Sequence, residues 1–122
     1  MCIKLYISAA SHQIAEARHV ADVLAVSGHK ITSEWHEVGI EELNSEEVVR
    51  GRFRGIVESD AIVVLNSKNV DNGCKFFETG LAVGRDIDFY LIGETENPIM
   101  SLLFKTRSFV SVEALAKHLE KV

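Results

Sequence analysis

Hydrophobic and polar positions switch between two periods along the chain, and the switching predicts strands separated by helices. Residues 3–8 alternate apolar and polar side chains, which is typical of a strand. Residues 14–25 then carry apolar side chains at helical spacing, and Gly28 stands where a glycine commonly ends a helix. Residues 30–35 predict a second strand. Ser45 is a suitable N-cap for a second helix, whose predicted apolar face consists of Val49, Phe53, Ile56 and Val57.

The second half of the chain continues this order. Residues 61–65 form an unbroken apolar run, which suits a central parallel strand covered on both faces. A loop rich in turn-forming residues, 66–73, leads into a helix over about 74–83, with a predicted buried stripe of Phe77, Leu81 and Ala82. The remaining predicted elements are a strand over 87–92, a short helix near 98–104, a strand near 106–110 and a last helix capped by Ser111.

Strands that alternate with helices at this spacing predict βαβ units and an α/β fold with a mainly parallel sheet of about five strands. The 122 residues are expected to form one domain over 1–122. Ligands of such sheets bind beyond the carboxyl ends of the strands. We therefore expect a site where the loop after the first strand, the end of the second strand near Trp35, and the segment leading into Glu78 meet.

Composition excludes several classes of function. A net charge of −5 argues against nucleic-acid polymers and anionic membranes as partners. A small anionic ligand stays compatible, since helix N-termini and loop amides bind phosphate without net positive charge. Two cysteines and no apolar stretch of spanning length predict a cytoplasmic protein without a disulfide framework. The chain has neither a dinucleotide fingerprint nor a P-loop lysine, and its histidines lack metal-ligand spacing, so no cofactor or metal is expected.

Glu78 is the carboxylate that the pattern singles out. It lies in the middle of a predicted helix, beside the apolar stripe, so it borders a pocket or is an exposed helix residue. Gly80 follows two residues later. A glycine inside a helix costs about 1 kcal/mol relative to alanine and usually marks close backbone packing or the approach of a ligand. Gly80 therefore favours the pocket.

Four segments of the chain carry a resemblance to a known family: KLYISA at 4–9, ITSEW at 31–35, SDAIVVL at 59–65 and DNGCKFFETGLA at 71–82. They resemble the nucleoside 2-deoxyribosyltransferase family, which includes related deoxynucleotide and nucleotide N-glycosidases. The likeness runs from Lys4 to about Glu120. It implies a flavodoxin-like three-layer sandwich and an enzyme that cleaves the bond between a base and a sugar.

The resemblance also implies roles for individual residues. Glu78 matches the glutamate that attacks the sugar C1′ and forms a glycosyl ester, which a second base or water then resolves. Tyr6 matches the tyrosine that orients this carboxylate. Asp71 matches a loop aspartate near the base, although it precedes Glu78 by seven residues instead of the family's six, a position that Asn72 occupies. Arg52 stands where the transferases carry an aspartate.

Other residues are expected at the ligand. Ser8 and Ser11 are suited to cradle a 5′-phosphate, and Gly73 ends the loop that faces it. Trp35 is a candidate for stacking on the base, and Arg52 is a candidate for binding a phosphate. By the resemblance, a neighbouring subunit lends Ser101, which predicts a homo-oligomer, at least a dimer. Several of these site residues also have a purely structural interpretation. Ser11 would be an N-cap, Tyr6 and Trp35 core residues, Arg52 a solvated residue, and Asp71 and Asn72 turn formers.

Three hypotheses of function follow. The first is cleavage or transfer of the N-glycosidic bond of a (deoxy)nucleoside or nucleoside 5′-monophosphate through a covalent glycosyl-Glu78 intermediate. The second is a non-catalytic nucleotide-binding or sensing module on the same fold, which Arg52 and the altered loop spacing favour. The third is a flavodoxin-like interaction domain without a small ligand.

Overall fold

The structure, a computed structural model, describes residues 2–38, 43, 45–66, 73–93, 102 and 107–121, with the backbone alone at residues 11 and 74–76. The strands are β1 (Lys4–Ser8), β2 (Lys30–Ile31), β3 (Ala61–Leu65), β4 (Asp88–Ile92) and β5 (Ser108–Phe109). The helices are α1 (Ile14–Val26), α2 (Glu46–Glu58), α3 (Gly73–Gly84) and α4 (Val112–Leu119). Two short 3-10 turns are Ser11–Gln13 and Trp35–Glu37. The predicted helix near 98–104 falls almost wholly outside the described residues.

The five strands form one parallel sheet in the order β2-β1-β3-β4-β5, which confirms the predicted α/β fold. This order is the flavodoxin-like one. Because the chain reverses direction across the sheet after β2, right-handed crossovers put α1 on one face and α2 and α3 on the other. Accordingly, α1 contacts α4, and α2 contacts α3. The direction changes between β1 and β3, and ligands of such folds bind at the carboxyl ends of the strands at that point.

The sequence explains the central strands and the helix ends. Every residue of β3 is buried, as its apolar run predicts. Gly28 has a φ of +97° after α1, a conformation that glycine adopts without strain. Ser45 and Ser111 each cap a helix, and their hydroxyls accept the amides of Val48 and Ala114. The second strand is shorter than predicted, because β2 pairs with β1 over two residues and the chain then leaves the sheet.

Helix α2 is turned away from its predicted orientation. Ile56 is buried as expected, but its buried neighbours are Arg52 and Gly55. Val57 is 43% exposed, and Phe53 is only partly buried. The apolar face that the sequence predicts is therefore wrong in part. An arginine, a glycine and an isoleucine face the sheet instead.

Helix α3 shows the same kind of difference. Its described buried residues include Glu78, Thr79 and Ala82, whereas Phe77 is 63% exposed. The Phe77 ring stacks on Phe53 of α2, with 5.4 Å between the ring centroids. The predicted buried stripe is thus wrong at Phe77 and right at Ala82. Both helices have turned a charged residue inward, and the two charges meet.

Candidate active site

The carboxylate of Glu78 lies in the interior of the protein, with only 2% of the residue exposed. Burial of an ionised carboxylate is costly unless hydrogen bonds and an opposite charge replace its water. Of the residues that the structure describes, three side chains from two other elements provide these contacts. Together with Glu78 they form the cluster that we call the carboxylate site, which consists of Tyr6, Ser8, Arg52 and Glu78.

Strand β1 contributes two donors to the carboxylate. The Tyr6 hydroxyl donates to Glu78 Oε2 at 2.5 Å, and the Ser8 hydroxyl donates to Oε1 at 2.9 Å. The two residues are separated by one position, so their side chains leave the strand on the same face. That face is the one that α2 and α3 cover. Period-two alternation in β1 therefore brings both hydroxyls to one helix residue.

Helix α2 contributes the positive charge. Arg52 Nε donates to Glu78 Oε2 at 3.2 Å and to the Tyr6 hydroxyl at 3.1 Å. Its side chain is 10% exposed. Arg50, in contrast, is exposed and pairs with Glu46 one turn earlier on the same helix. The charges of Arg52 and Glu78 compensate each other inside the protein, which explains why both helices turn these residues toward the sheet.

The electrostatics of the carboxylate site keep Tyr6 neutral and Arg52 charged. Burial, and then the negative charge of Glu78, raise the pKa of Tyr6 well above its usual value. Burial alone would lower the pKa of Arg52, but Tyr6 and Glu78 outweigh this effect, and the pKa lies above its usual value. Tyr6 is therefore a permanent hydrogen-bond donor at neutral pH, and Arg52 is a permanent cation.

Trp35 is buried against the same cluster. Its indole N–H donates to the backbone carbonyl of Ile7 at 2.8 Å, which fastens the turn Trp35–Glu37 to β1. The guanidinium of Arg52 lies over the indole ring, 4.8 Å from its centroid. A cation over an aromatic face is a favourable arrangement. One face of the Trp35 ring is thus covered by Arg52.

The loop after β1, where the sequence suggests a phosphate cradle, makes hydrogen bonds within the protein. The Ser8 hydroxyl points to Glu78, and the Ala10 amide donates to Gln13 Oε1 at 3.0 Å. Gln13 also donates through Nε2 to the backbone carbonyl of Asn66, at the end of β3, at 2.6 Å. Ser11 begins the 3-10 turn rather than capping α1, which starts at Ile14. Ser11 as a helix N-cap is therefore wrong.

The glycine that packs closely on a neighbouring element is Gly55 on α2, whereas the sequence singles out Gly80 on α3. A Cβ on Gly80 would find nothing within 4 Å among the described residues, so none of these residues packs closely on Gly80. A Cβ on Gly55 would lie 2.8 Å from Ser33 Cβ and 3.1 Å from Tyr6 Cδ1. Gly55 thus allows α2 to approach β1 closely enough for Arg52 to reach Glu78. A glycine inside a helical pattern was the available signal, and it applied at Gly55.

The remaining predicted site residues are Asp71, Asn72, Gly73 and Ser101. Asp71, Asn72 and Ser101 fall outside the described residues, and Gly73 is the first residue of α3. Among the residues that are described, no group of three or more histidine, cysteine, aspartate or glutamate side chains is arranged to hold a metal ion. In the same part of the chain, no helix is long and apolar enough to cross a membrane.

Solved structures with this fold include two enzymes of the kind that the sequence resemblance names. One is a 2-deoxyribosyltransferase from Bacillus psychrosaccharolyticus, with a TM-score of 0.70 and 18% identity over 93% of this chain and 90% of that chain. Another is the CMP N-glycosidase BcmB from Clostridium botulinum, with a TM-score of 0.62 and 12% identity over 96% and 98% of the two chains. No protein-family model and no curated protein matches the sequence. At these identities the likeness establishes the flavodoxin-like fold.

Proposed function

We propose that this protein cleaves or transfers the N-glycosidic bond of a (deoxy)nucleoside or nucleoside 5′-monophosphate, with Glu78 as the nucleophile. The observation that carries the proposal is the buried Glu78 carboxylate, held by Tyr6, Ser8 and Arg52 beside the point where the strand order reverses. The two structural neighbours support it, since one is a 2-deoxyribosyltransferase and the other a CMP N-glycosidase.

The two oxygens of Glu78 are suited to different tasks. Among the described residues, Oε1 accepts one hydrogen bond, from the neutral Ser8 hydroxyl, whereas Oε2 accepts from both Tyr6 and the cationic Arg52. Oε1 therefore retains more electron density and is the oxygen that attacks C1′. The Oε1–C1′ bond forms as the C1′–N bond breaks, and the base leaves with the bonding electrons.

The second step regenerates the carboxylate. Water or a second base attacks C1′, the C1′–Oε1 bond breaks, and its electrons return to Glu78. Tyr6 and Arg52 stay hydrogen-bonded to Oε2 throughout, so they stabilise the negative charge that reappears on the carboxylate. Attack by water gives hydrolysis, and attack by a base gives transfer.

Loss of the Glu78 carboxylate tests this proposal. The protein is incubated with 2′-deoxynucleosides, ribonucleosides and their 5′-monophosphates, with and without a second free base, and products are separated by chromatography. We expect Glu78→Gln to reduce base release by at least about a thousand-fold. The matched control is Glu58→Gln, which changes an exposed carboxylate at the end of α2 and should retain full activity. Full activity in Glu78→Gln would remove this residue from the chemistry.

A covalent intermediate gives a second, direct measurement. A 2-deoxy-2-fluoro nucleoside slows the breakdown of a glycosyl ester, because fluorine destabilises the positive charge that develops at C1′. Mass spectrometry of the digested protein should then find the sugar attached to the peptide that contains Glu78. A sugar on any other peptide would contradict the assignment of the nucleophile.

A non-catalytic nucleotide-binding module is the second candidate, and one observation favours it. The three partners of Glu78 in the described part of the chain all donate to it, and one of them is an arginine that compensates its charge. Such a carboxylate is a weaker nucleophile than a free one. If every substrate survives while a nucleotide still raises the melting temperature, the binding function is the correct one.

We also propose that the protein works in the cytoplasm as a homo-oligomer, in which Ser101 of one chain completes the site of its neighbour. The support is the resemblance of the sequence to the deoxyribosyltransferase family. Light scattering after size-exclusion chromatography should give at least twice the 13.5 kDa mass of one chain. A monomer with full activity would refute this arrangement.

A further inference from the structure

We propose that Arg52 is the residue that receives the departing base, and that it does so by pairing with the base as an anion instead of protonating it. The substrates would then be nucleosides or nucleotides whose base is readily released as an anion, such as uracil and its derivatives. This inference rests on the proposed function and extends it to the leaving group.

The chemistry of the carboxylate site calls for such a residue. Cleavage of a C–N bond to a base requires help for the leaving group, and a general acid commonly provides it. Tyr6 donates its proton to Glu78 and has a raised pKa, Ser8 donates its proton to the other oxygen, and Arg52 does not deprotonate in proteins. Within the described residues, the partners of Glu78 therefore offer positive charge and hydrogen bonds but no acidic proton.

The position of Arg52 fits the leaving group. Both of its hydrogen bonds within the described residues use Nε, the atom nearest its aliphatic chain. The terminal amino groups lie two C–N bonds of about 1.33 Å beyond Nε. Since Nε is 3.2 Å from Glu78 Oε2, these groups lie at most about 6 Å from Oε2, next to the carboxylate that attacks C1′.

Three contacts hold the guanidinium in place. Its Nε donates to Glu78 and to Tyr6, and its Cζ lies over the Trp35 ring, 4.8 Å from the ring centroid. A base has an acceptor next to its glycosidic nitrogen, namely O2 in a pyrimidine and N3 in a purine. The planar fork of arginine donors suits such an acceptor together with the nitrogen that gains charge. Burial strengthens this attraction, because the surroundings screen it less than water does.

The step balances without a proton donor. Glu78 Oε1 forms a bond to C1′, the bond from C1′ to the base nitrogen breaks, and its electron pair stays on the base. The resulting anion pairs with Arg52 and takes a proton from water after it leaves the site. Breakdown of the glycosyl ester by water or by an incoming base is unchanged.

The test compares two leaving groups on one sugar. Uracil and 5-fluorouracil differ by one fluorine, which makes the latter a more stable anion. Base release is measured for 2′-deoxyuridine, 5-fluoro-2′-deoxyuridine and both 5′-monophosphates, with wild type, Arg52→Gln and Arg52→Lys. The matched control is Arg54→Gln, on the same helix but exposed. The charged or titratable groups that face Arg52 within the described residues are Tyr6 and Glu78.

We expect the wild type to release 5-fluorouracil at least about ten times faster than uracil near pH 6. Uracil release should not decline between about pH 6 and pH 8, since arginine does not titrate there. Arg52→Gln should lower uracil release by about 100- to 1,000-fold. The same variant should increase the preference for 5-fluorouracil, and Arg52→Lys should restore part of the loss. Arg54→Gln should behave as wild type.

Three results would overturn the inference while leaving the proposed function intact. One is wild-type release that depends on Glu78 but is equal for the two bases and falls with rising pH, which would mean that an acid such as Asp71 protonates the base. Another is an effect of Arg52→Gln on KM for the monophosphates alone, which would make Arg52 a phosphate anchor. The third is unchanged release by folded Arg52→Gln. Absence of base release from every substrate would refute the proposed function, and this inference with it.

Discussion

Alanine in place of Gly55 adds a single methyl group between α2 and β1, where the structure leaves almost no space. An ideal Cβ would lie 2.8 Å from Ser33 Cβ, 3.1 Å from Tyr6 Cδ1 and 3.2 Å from Thr32 Oγ1. Non-bonded carbons are most stable at about 3.5–4.0 Å. The overlap is therefore several tenths of an ångström with each carbon.

The neighbours of this methyl group cannot easily move. The Tyr6 ring is held at its hydroxyl by Glu78 and Arg52, and the Thr32 hydroxyl donates to the carbonyl of Gly55 itself at 2.7 Å. Overpacking of this kind costs about 1–3 kcal/mol. Replacement of a helix glycine by alanine returns about 0.5–1 kcal/mol. The net loss of unfolding free energy is then about 0–2.5 kcal/mol, with a central value near 1 kcal/mol.

Gly51, one turn earlier on α2, is the matched control. A Cβ there would meet nothing within 4 Å among the described residues, so Gly51→Ala should stabilise the protein by about 0.5–1 kcal/mol. Thermal unfolding should separate the variants, with Gly55→Ala melting about 5 °C below wild type and Gly51→Ala a few degrees above it. If Gly55→Ala melts at or above Gly51→Ala, α2 does not approach β1 as closely as described.

Three further perturbations give defined outcomes. Tyr6→Phe keeps the ring but removes a donor from Glu78, so base release should fall about 100-fold; unchanged turnover would contradict an orienting role. Trp35→Phe leaves the carbonyl of Ile7 without its indole donor, and urea unfolding should report a loss of about 1–3 kcal/mol; a loss near zero would contradict this. Burial, and then the N-terminal charge, lower the pKa of His29, whose Nδ1 accepts the Ile3 amide. Because His29 takes up a proton in the unfolded chain at a higher pH than in the folded protein, the free energy of unfolding should decrease as pH falls below about 6.5. The decrease should be smaller in His29→Leu, and a free energy of unfolding that rises as pH falls would refute this.

The sheet could be predicted from the sequence because its signals are local. The alternation in β1 and the apolar run of β3 each follow from the side chains of a few neighbouring residues. β2 could not be delimited in the same way, because its end depends on the bond from the Trp35 indole to Ile7, which is 28 residues away. The periodicity of neighbouring side chains does not predict a contact between residues so far apart in sequence.

The helix faces show the main limit of pattern analysis at the site. Hydrophobic periodicity assumes that charged residues face water, so it turned Phe77 inward and left Glu78 at the margin of the stripe. The structure instead buries Glu78 together with Arg52, and the pairing of opposite charges makes this possible. The resemblance in sequence named Glu78 and Tyr6 as neighbours and put Arg52 at the position of the transferases' aspartate, but it left open whether Arg52 faces Glu78 or solvent.

The two edge strands of the sheet affect how the protein associates at high concentration. The outermost strands, β2 and β5, each contain two residues, Lys30–Ile31 and Ser108–Phe109. A foreign strand needs a row of free amides and carbonyls to bind beside a sheet, and very short outer strands offer few of them. We therefore expect the folded protein to resist edge-to-edge association, so that fibrils form only under conditions that first unfold it.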